Sequence, residues 1–144
     1  MTLEWWEKMR EYAKGWYVLE NGKIRPAKDL IEASAQLSDI TTRRVDFTEL
    51  ENCTVSTVFL GLDHNLSGKG TPILFETLIQ GGEYDGCQWR YAAMGQAKKA
   101  HREIVDALQA GEEPCPTVGE EVWIWKMLEE MFEEDNSGEE WKNE

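Results

Sequence analysis

The order of hydrophobic and polar positions predicts an N-terminal helix, a series of strands and then more helices. Residues 3–14 carry leucine, tryptophan, methionine and tyrosine side chains on one helical stripe, and Gly15 follows as a natural C-cap. β-Branched and aromatic runs between turn residues predict strands at residues 16–20, 23–25, 41–50, 54–63, 73–80 and 87–92. The Asn21-Gly22 pair predicts a tight hairpin between the first two strands, and a short helix is expected at residues 29–37.

The most clearly marked strand is TVSTVFLGLD, residues 54–63. Apolar side chains occupy both of its faces, which is typical of a central strand that is buried on both sides. Because successive side chains of a strand point to opposite faces, Asp63 and the following His64 are expected to diverge. The strand therefore ends in polar groups, and Asn65 begins the glycine-rich loop that follows.

A helical period returns after the last strand. Apolar residues from Ala97 to Leu108 share one stripe with His101, which predicts a helix that faces the sheet and ends at Gly111. Thr117 and Glu120 have the spacing of a capping box, which predicts a final helix over residues 118–134. Its apolar residues cover more than one side, so we expect one side to contact a second copy of the chain in a homo-oligomer.

Together these elements predict a single α+β domain over residues 1–134, followed by an acidic, mobile tail at residues 135–144. The expected architecture is a central antiparallel sheet of five or six strands, with an N-terminal helix and two C-terminal helices. A chain of 144 residues is long enough to bury a core of its own.

Charge and composition narrow the function classes. The net charge is −13 and is concentrated in the last third of the chain, which argues against binding to duplex nucleic acid. No apolar run is long enough to span a membrane, and the N-terminus is amphipathic and acidic, so we expect a cytoplasmic protein without a membrane partner. The three cysteines are widely spaced and indicate reduced thiols rather than disulfides or a metal pair. No cofactor is expected.

Several charged residues interrupt the apolar strands. Glu76 lies mid-strand among apolar neighbours, where a carboxylate needs a partner or a shifted pKa. Arg90 is the candidate partner, and Arg43 or Arg44 are alternatives. Trp89 and Tyr91 share one strand face. Such rings either pack in the core or, near the arginines, sandwich a nucleobase while guanidinium groups hold its phosphates.

Two histidines add a metal hypothesis. His64 and His101, with Asp63 and Glu76, contain enough ligand groups for a Zn²⁺ or Mn²⁺ site. Their spacing matches no metal signature, and a structural role for both histidines is the alternative. A small metal-dependent hydrolase therefore stays as a rival hypothesis to a binding protein.

The block VSTVFLGLDHN…GKGTPILFETLIQGG…QWRY, followed by KKAH, resembles a group of small proteins encoded by bacteriophages and prophages. The resemblance extends upstream to WYVLENGKIRPAKDL and covers about residues 16–105. It carries a set of polar and aromatic positions: Arg43, Arg44, Asp63, His64, Asn65, Glu76, Thr77, Arg90, Tyr91 and His101.

By analogy with its genomic setting, the resemblance implies an accessory protein that counters host immunity by sequestering a nucleotide-derived signal. In this hypothesis three arginines contact phosphate, Trp89 or Tyr91 stacks on a base, and residues 63–65 bond the ribose or the base edge. The phosphate contacts would come from Arg43, Arg44 and Arg90. A structural or protein-binding oligomer without a small ligand is the third hypothesis.

Overall fold

A computed structural model of the chain describes residues 2–65 and 69–122 and has an α+β fold. The described elements are α1 (Leu3–Tyr12), β1 (Tyr17–Glu20), β2 (Lys23–Pro26), α2 (Leu30–Leu37), α3 (Ile40–Arg43), β3 (Arg44–Glu49), β4 (Thr54–Phe59), β5 (Phe75–Gln80), β6 (Gln88–Tyr91), α4 (Met94–Gln109) and β7 (Glu120–Glu121). The predicted α+β class, with a central antiparallel sheet and helices, is confirmed.

The central sheet has five antiparallel strands in the order β3-β4-β5-β6-β7. Each strand therefore pairs with its neighbour in sequence, which places alternate turns at the same end of the sheet. Strands β1 and β2 form a separate two-stranded sheet. The predicted hairpin turn between them is confirmed, since Asn21 and Gly22 have φ values of 52° and 77°, as a two-residue turn of this type requires.

Helix α4 covers one side of the sheet, which we call the inner face. Its residues Ala97, Ala100, His101 and Ile104 recur at helical spacing and are buried. Below them lie the odd-numbered residues of the three central strands, which are also buried: Val55, Thr57, Phe59, Phe75, Thr77, Ile79, Trp89 and Tyr91. The inner face and α4 thus form the core of the domain.

The even-numbered residues of β4, β5 and β6 lie on the opposite side, which we call the outer face. Val58, Glu76, Leu78 and Arg90 on this face are half-buried rather than buried. The prediction that residues 54–63 are buried on both faces is therefore wrong. Burial alternates with a period of two, as in antiparallel sheets that pack a helix against one face only.

Two strand boundaries differ from prediction by more than about two residues. Strand β4 ends at Phe59 instead of Asp63, and Gly61 follows with a positive φ of 82° that extended strands do not contain. Strand β3 begins at Arg44 instead of residue 41, because residues 40–43 form the short helix α3. The carboxylate of Asp39 accepts a hydrogen bond from the backbone amide of Thr41, and this cap favours a helical turn over a strand.

The predicted helix over residues 118–134 is wrong for residues 118–122. Glu120 and Glu121 form the edge strand β7 instead, and Gly119 before them has a φ of 88°, which stops a helix. The amide and hydroxyl of Thr117 donate to the Glu103 carboxylate at 3.1 and 2.8 Å rather than forming a capping box. Residues 123–134, with the expected oligomer contact, and the tail at 135–144 lie outside the described residues. Within the described ranges, no helix has the length and apolar character needed to cross a bilayer.

Candidate functional site

The predicted site residues fall into three groups that the sheet and a loop keep apart. Trp89, Tyr91 and His101 lie on the inner face under α4. Arg44, Glu76 and Arg90 lie in one cross-strand row of the outer face. Residues 63–65 lie in the segment after β4, and Arg43 lies beside the end of that strand. The structure therefore does not assemble the ten residues into one cluster.

The inner group belongs to a chain of buried hydrogen bonds that crosses the sheet. The hydroxyl of Tyr91 donates to Thr77 Oγ1 at 3.0 Å, and Thr77 Oγ1 lies 2.6 Å from Thr57 Oγ1. The hydroxyl of Thr57 lies 2.7 Å from His101 Nδ1, and His101 Nε2 lies 2.9 Å from Thr48 Oγ1. All but Thr48 are fully buried, so α4 is tied to four strands by polar contacts inside the core.

The Asp46 carboxylate, at the end of this series of hydrogen bonds, determines which group donates in each of them. Asp46 Oδ1 lies 3.7 Å from His101 Nε2, which favours a hydrogen on that nitrogen and leaves Nδ1 as an acceptor. Each hydroxyl can then donate to the next group, from Tyr91 through the two threonines to His101. Burial lowers the pKa of His101, and the Asp46 carboxylate only partly opposes the effect. Burial raises the pKa of Tyr91 to about 12. The buried hydrogen-bonded side chains from Tyr91 to His101 are therefore uncharged at pH 7.

The two aromatic residues proposed to stack on a base are both in the core. Trp89 is 3% exposed and Tyr91 is 2% exposed, and both point towards α4. Arg90, between them in the strand, points to the outer face. A ligand in contact with Arg90 on the surface is therefore separated from both rings by the sheet itself.

The outer group contains the expected ion pair. Arg90 Nε lies 3.0 Å from Glu76 Oε2, with side-chain exposures of 24% and 15%. The prediction that Arg90 pairs with Glu76 is confirmed. Arg44 belongs to the same row through Val58, and its guanidinium lies 4.4 Å from the centre of the Phe47 ring. At the other end of the row, Glu120 of β7 is opposite Arg90 in the backbone register of the two strands.

Arg43 is turned away from this row. Its Nη1 atom donates to the carbonyl oxygen of Phe59 at 3.4 Å, at the end of β4. Its Nε atom is buried and has no hydrogen-bond partner among the described residues. The contact ties α3 to the end of the central strand, so Arg43 has a bracing role that the sequence did not indicate.

The Asp63-His64-Asn65 segment is held by hydrogen bonds between its side chains and backbone groups. Asp63 Oδ1 accepts from the amides of Asn65 at 2.8 Å and Ile73 at 2.9 Å, which joins the two ends of the loop. The Asn65 side-chain amide donates to the carbonyl oxygens of Lys69 and Thr71. His64 Nδ1 lies 2.6 Å from the Leu62 carbonyl, and because a carbonyl only accepts, this nitrogen carries the hydrogen.

These positions bear on the metal hypothesis. A site that used Asp63, His64, Glu76 and His101 would need all four to converge, but His101 lies under α4 and Glu76 lies on the outer face. Within the described residues, no three histidine, cysteine, aspartate or glutamate side chains are grouped as metal ligands. The geometry does not support the four-residue set as a metal centre.

Sequence reasoning missed a cavity at the other end of the sheet. Its volume is about 420 Å³, and it lies between the β3–β4 turn, the β5–β6 turn and the end of α4. Glu51, Glu83 and Glu112 line it together with Leu50, Tyr84 and Leu108. The signal in the sequence is weak, because the three segments are far apart in the chain. Only the strand order brings both turns to one end.

Comparison with known proteins adds no assignment. No family model matches the sequence, and neither curated proteins nor solved structures give a significant match. Function is therefore inferred from the residues of this chain and from the sequence resemblance.

Proposed function

We propose that this protein is a non-catalytic binding protein that sequesters a nucleotide-derived signalling molecule, as a phage or prophage accessory factor against host immunity. The phage setting comes from the sequence resemblance alone. The binding proposal is carried by one observation: Arg44, Glu76 and Arg90 share a row on the outer face of the sheet, on the side away from α4.

The chemistry of this row suits a nucleotide. A guanidinium offers paired N–H donors that match phosphate oxygens, and its charge does not depend on pH in the physiological range. Arg44 and Arg90 stand on strands three spacings apart, roughly 14 Å, so their long side chains can approach one ligand from both sides. The Glu76 carboxylate between them accepts hydrogen bonds from ribose hydroxyls or base N–H groups.

Apolar side chains complete this surface. Val58 and Leu78 are half-buried on the outer face, and Phe47 at its edge is 40% exposed beneath the Arg44 guanidinium. An exposed ring next to an arginine is a surface on which a planar base can stack. In this proposal Phe47 takes the stacking role that Trp89 and Tyr91 cannot take from inside the core.

The other predicted ligand residues have supporting roles. The segment of residues 63–65 closes the loop after β4, and the buried histidine chain fixes the strands that carry the row. A purely binding role is favoured over hydrolysis because the candidate acids and bases already have other partners and lie apart. Glu76 is bonded to Arg90 on the outer face, His101 to threonine hydroxyls on the inner face, and His64 to a backbone carbonyl after β4.

The proposal is tested by thermal unfolding in the presence of cyclic dinucleotides, cyclic trinucleotides and cyclic ADP-ribose variants. A ligand at 100 times its Kd adds about 2.7 kcal/mol to the free energy of unfolding. We expect Arg44→Gln to remove the response, because the variant loses a proposed phosphate contact. Arg44 is exposed, so its replacement should not impair folding. Arg102→Gln, which removes one exposed charge from α4, is the matched control and should keep the response.

A flat response across the whole panel contradicts the nucleotide proposal and favours the structural or protein-binding alternative. An equal response in both variants places the ligand away from the outer face. Affinity should also fall on the order of tenfold as salt rises from 0.05 to 0.5 M, because salt screens the contacts between opposite charges.

A further inference from the structure

The cavity at the turn end of the sheet has an apolar interior. Leu50 from the β3–β4 turn, Ile79 from β5 and Leu108 from α4 line it, and Tyr84 from the β5–β6 turn adds an aromatic wall. Ile79 is fully buried, so the bottom of the cavity belongs to the core. A volume of about 420 Å³ lies within the range of small-molecule sites. The cavity can therefore accept the apolar part of a small ligand.

The rim of the cavity is negatively charged. Glu51, Glu83 and Glu112 are exposed there, and the described lining residues include no lysine, arginine or histidine. The C-terminal end of α4 also lies at the cavity through Leu108 and Gln109. A helix C-terminus carries a partial negative charge, and the last turn of α4 has no basic residue to offset it.

Neighbouring side chains respond to this charge. The pKa of Tyr84 is raised by burial and by the Glu83 and Glu113 carboxylates. The pKa of the Cys87 thiol is raised by burial and by acidic neighbours, among them Glu113. Burial is the main cause for both groups, and the added contribution of the carboxylates has the sign expected of a negative potential at this end of the sheet.

We propose that this cavity is a binding site for a small organic cation, an amine carried on an apolar body. The apolar part would lie against Leu50, Ile79 and Leu108, and the ammonium group would face the Glu51 and Glu83 carboxylates at the rim. An ammonium group is stabilised by opposite charges, by a helix C-terminus and by an aromatic face, and this cavity brings all three together. The site is distinct from the outer-face row and does not depend on it.

The test uses three probes of nearly equal shape and different charge: 2-phenylethylamine, 2-phenylethanol and 3-phenylpropionate. Titration calorimetry on the full chain should give a Kd of about 1 mM or tighter for the amine, as expected for a ligand of this size. The alcohol should bind at least about fivefold more weakly, and the carboxylate should not bind. The amide NMR signals of Gly81 and Gly82, which line the cavity, should shift with the amine.

Variants then place the amine. Glu51→Gln with Glu83→Gln should weaken binding about tenfold, whereas Glu7→Gln on α1 should leave it unchanged. Gln109→Trp puts a large side chain at the cavity and should abolish binding, whereas Gln96→Trp, also exposed on α4, should not. No binding of the amine, equal affinity for the amine and the alcohol, or binding that survives Gln109→Trp would each overturn the proposal.

Discussion

Replacing Thr57 by valine removes one hydroxyl from the middle of the buried hydrogen-bond chain and changes the shape of the side chain very little. Thr57 is fully buried, and its hydroxyl lies 2.6 Å from Thr77 Oγ1 and 2.7 Å from His101 Nδ1. Each lost hydrogen bond costs roughly 0.5–1.5 kcal/mol, and a buried acceptor left without a donor costs roughly 1–3 kcal/mol. We therefore expect Thr57→Val to lower the free energy of unfolding by about 2–4 kcal/mol.

The measurement is urea unfolding followed by tryptophan fluorescence. With a slope of about 1.5 kcal/mol per M of urea, a loss of about 3 kcal/mol lowers the midpoint by about 2 M without changing the slope. Thr54→Val is the matched control, because Thr54 lies in the same strand on the half-buried outer face. If Thr57→Val destabilises the protein no more than Thr54→Val, the buried chain does not stabilise the fold as argued.

The burial of His101 in this series of hydrogen bonds makes the stability of the protein depend on pH. The pKa of His101 is lowered by burial, so the unfolded state binds the proton more readily than the folded state. The stability contribution is therefore complete above the unfolded pKa of about 6.5 and is lost as pH falls below it, by at most about 1.4 kcal/mol per pH unit. His101→Phe should remove this slope, and a slope that persists in that variant assigns it to other groups.

Two sets of variants and one pKa measurement further test the packing and charges of the fold. Gly119→Ala should lower the free energy of unfolding by about 2–4 kcal/mol in the same urea assay, because the backbone has a positive φ and the new methyl group would overlap the buried Tyr91 ring. Gly95→Ala is the control, because its methyl group would face open space in α4. This variant should raise the free energy of unfolding by about 0.4–1 kcal/mol. Breaking the half-buried pair with Glu76→Gln or Arg90→Gln should cost about 1–3 kcal/mol, and the double variant should cost less than the sum of the two in a double-mutant cycle. The pKa of Glu32 should be found near 2 by carboxyl NMR, because an arginine fork binds it, and its contribution to stability should be lost as pH falls from about 4.5 towards 2.

Local patterns were enough to predict much of the fold. The Asn21-Gly22 hairpin, the helix after Asp29 and the helix that carries His101 all depend on contacts between residues close in sequence. The pairing of Glu76 with Arg90 also followed, because a carboxylate among apolar neighbours requires a partner from an adjacent strand.

Other features depend on contacts that a pattern does not contain. The helix at residues 40–43 depends on the Asp39 cap, which outweighs the strand preference of two threonines. Strand β7 is two glutamates long and exists only because it pairs with β6. The capping-box spacing at Thr117 is present, but Glu103 binds that threonine instead.

The positions of the candidate site residues also depend on tertiary contacts that the sequence pattern does not contain. Alternation along β6 already implied that Arg90 points away from Trp89 and Tyr91, so no ligand could touch all three from one side of the sheet. Sequence could not tell which side α4 would cover, and therefore which of these residues would be buried. The acidic cavity was missed because it is lined by turns that meet only through the strand order.

The edges of the sheet have a consequence for how copies of this protein meet one another. One edge is the two-residue strand of Glu120 and Glu121, and the other is β3, which is interrupted by a bulge between Arg44 and Asp46. An open edge with regular hydrogen-bonding groups can recruit a strand from another chain and start aggregation, whereas a short, charged or bulged edge cannot be extended in register. Among the described residues, both edges of the five-stranded sheet are of the second kind. At high concentration the five-stranded sheet should therefore resist edge-to-edge growth, and contacts between copies at this sheet should form through side chains.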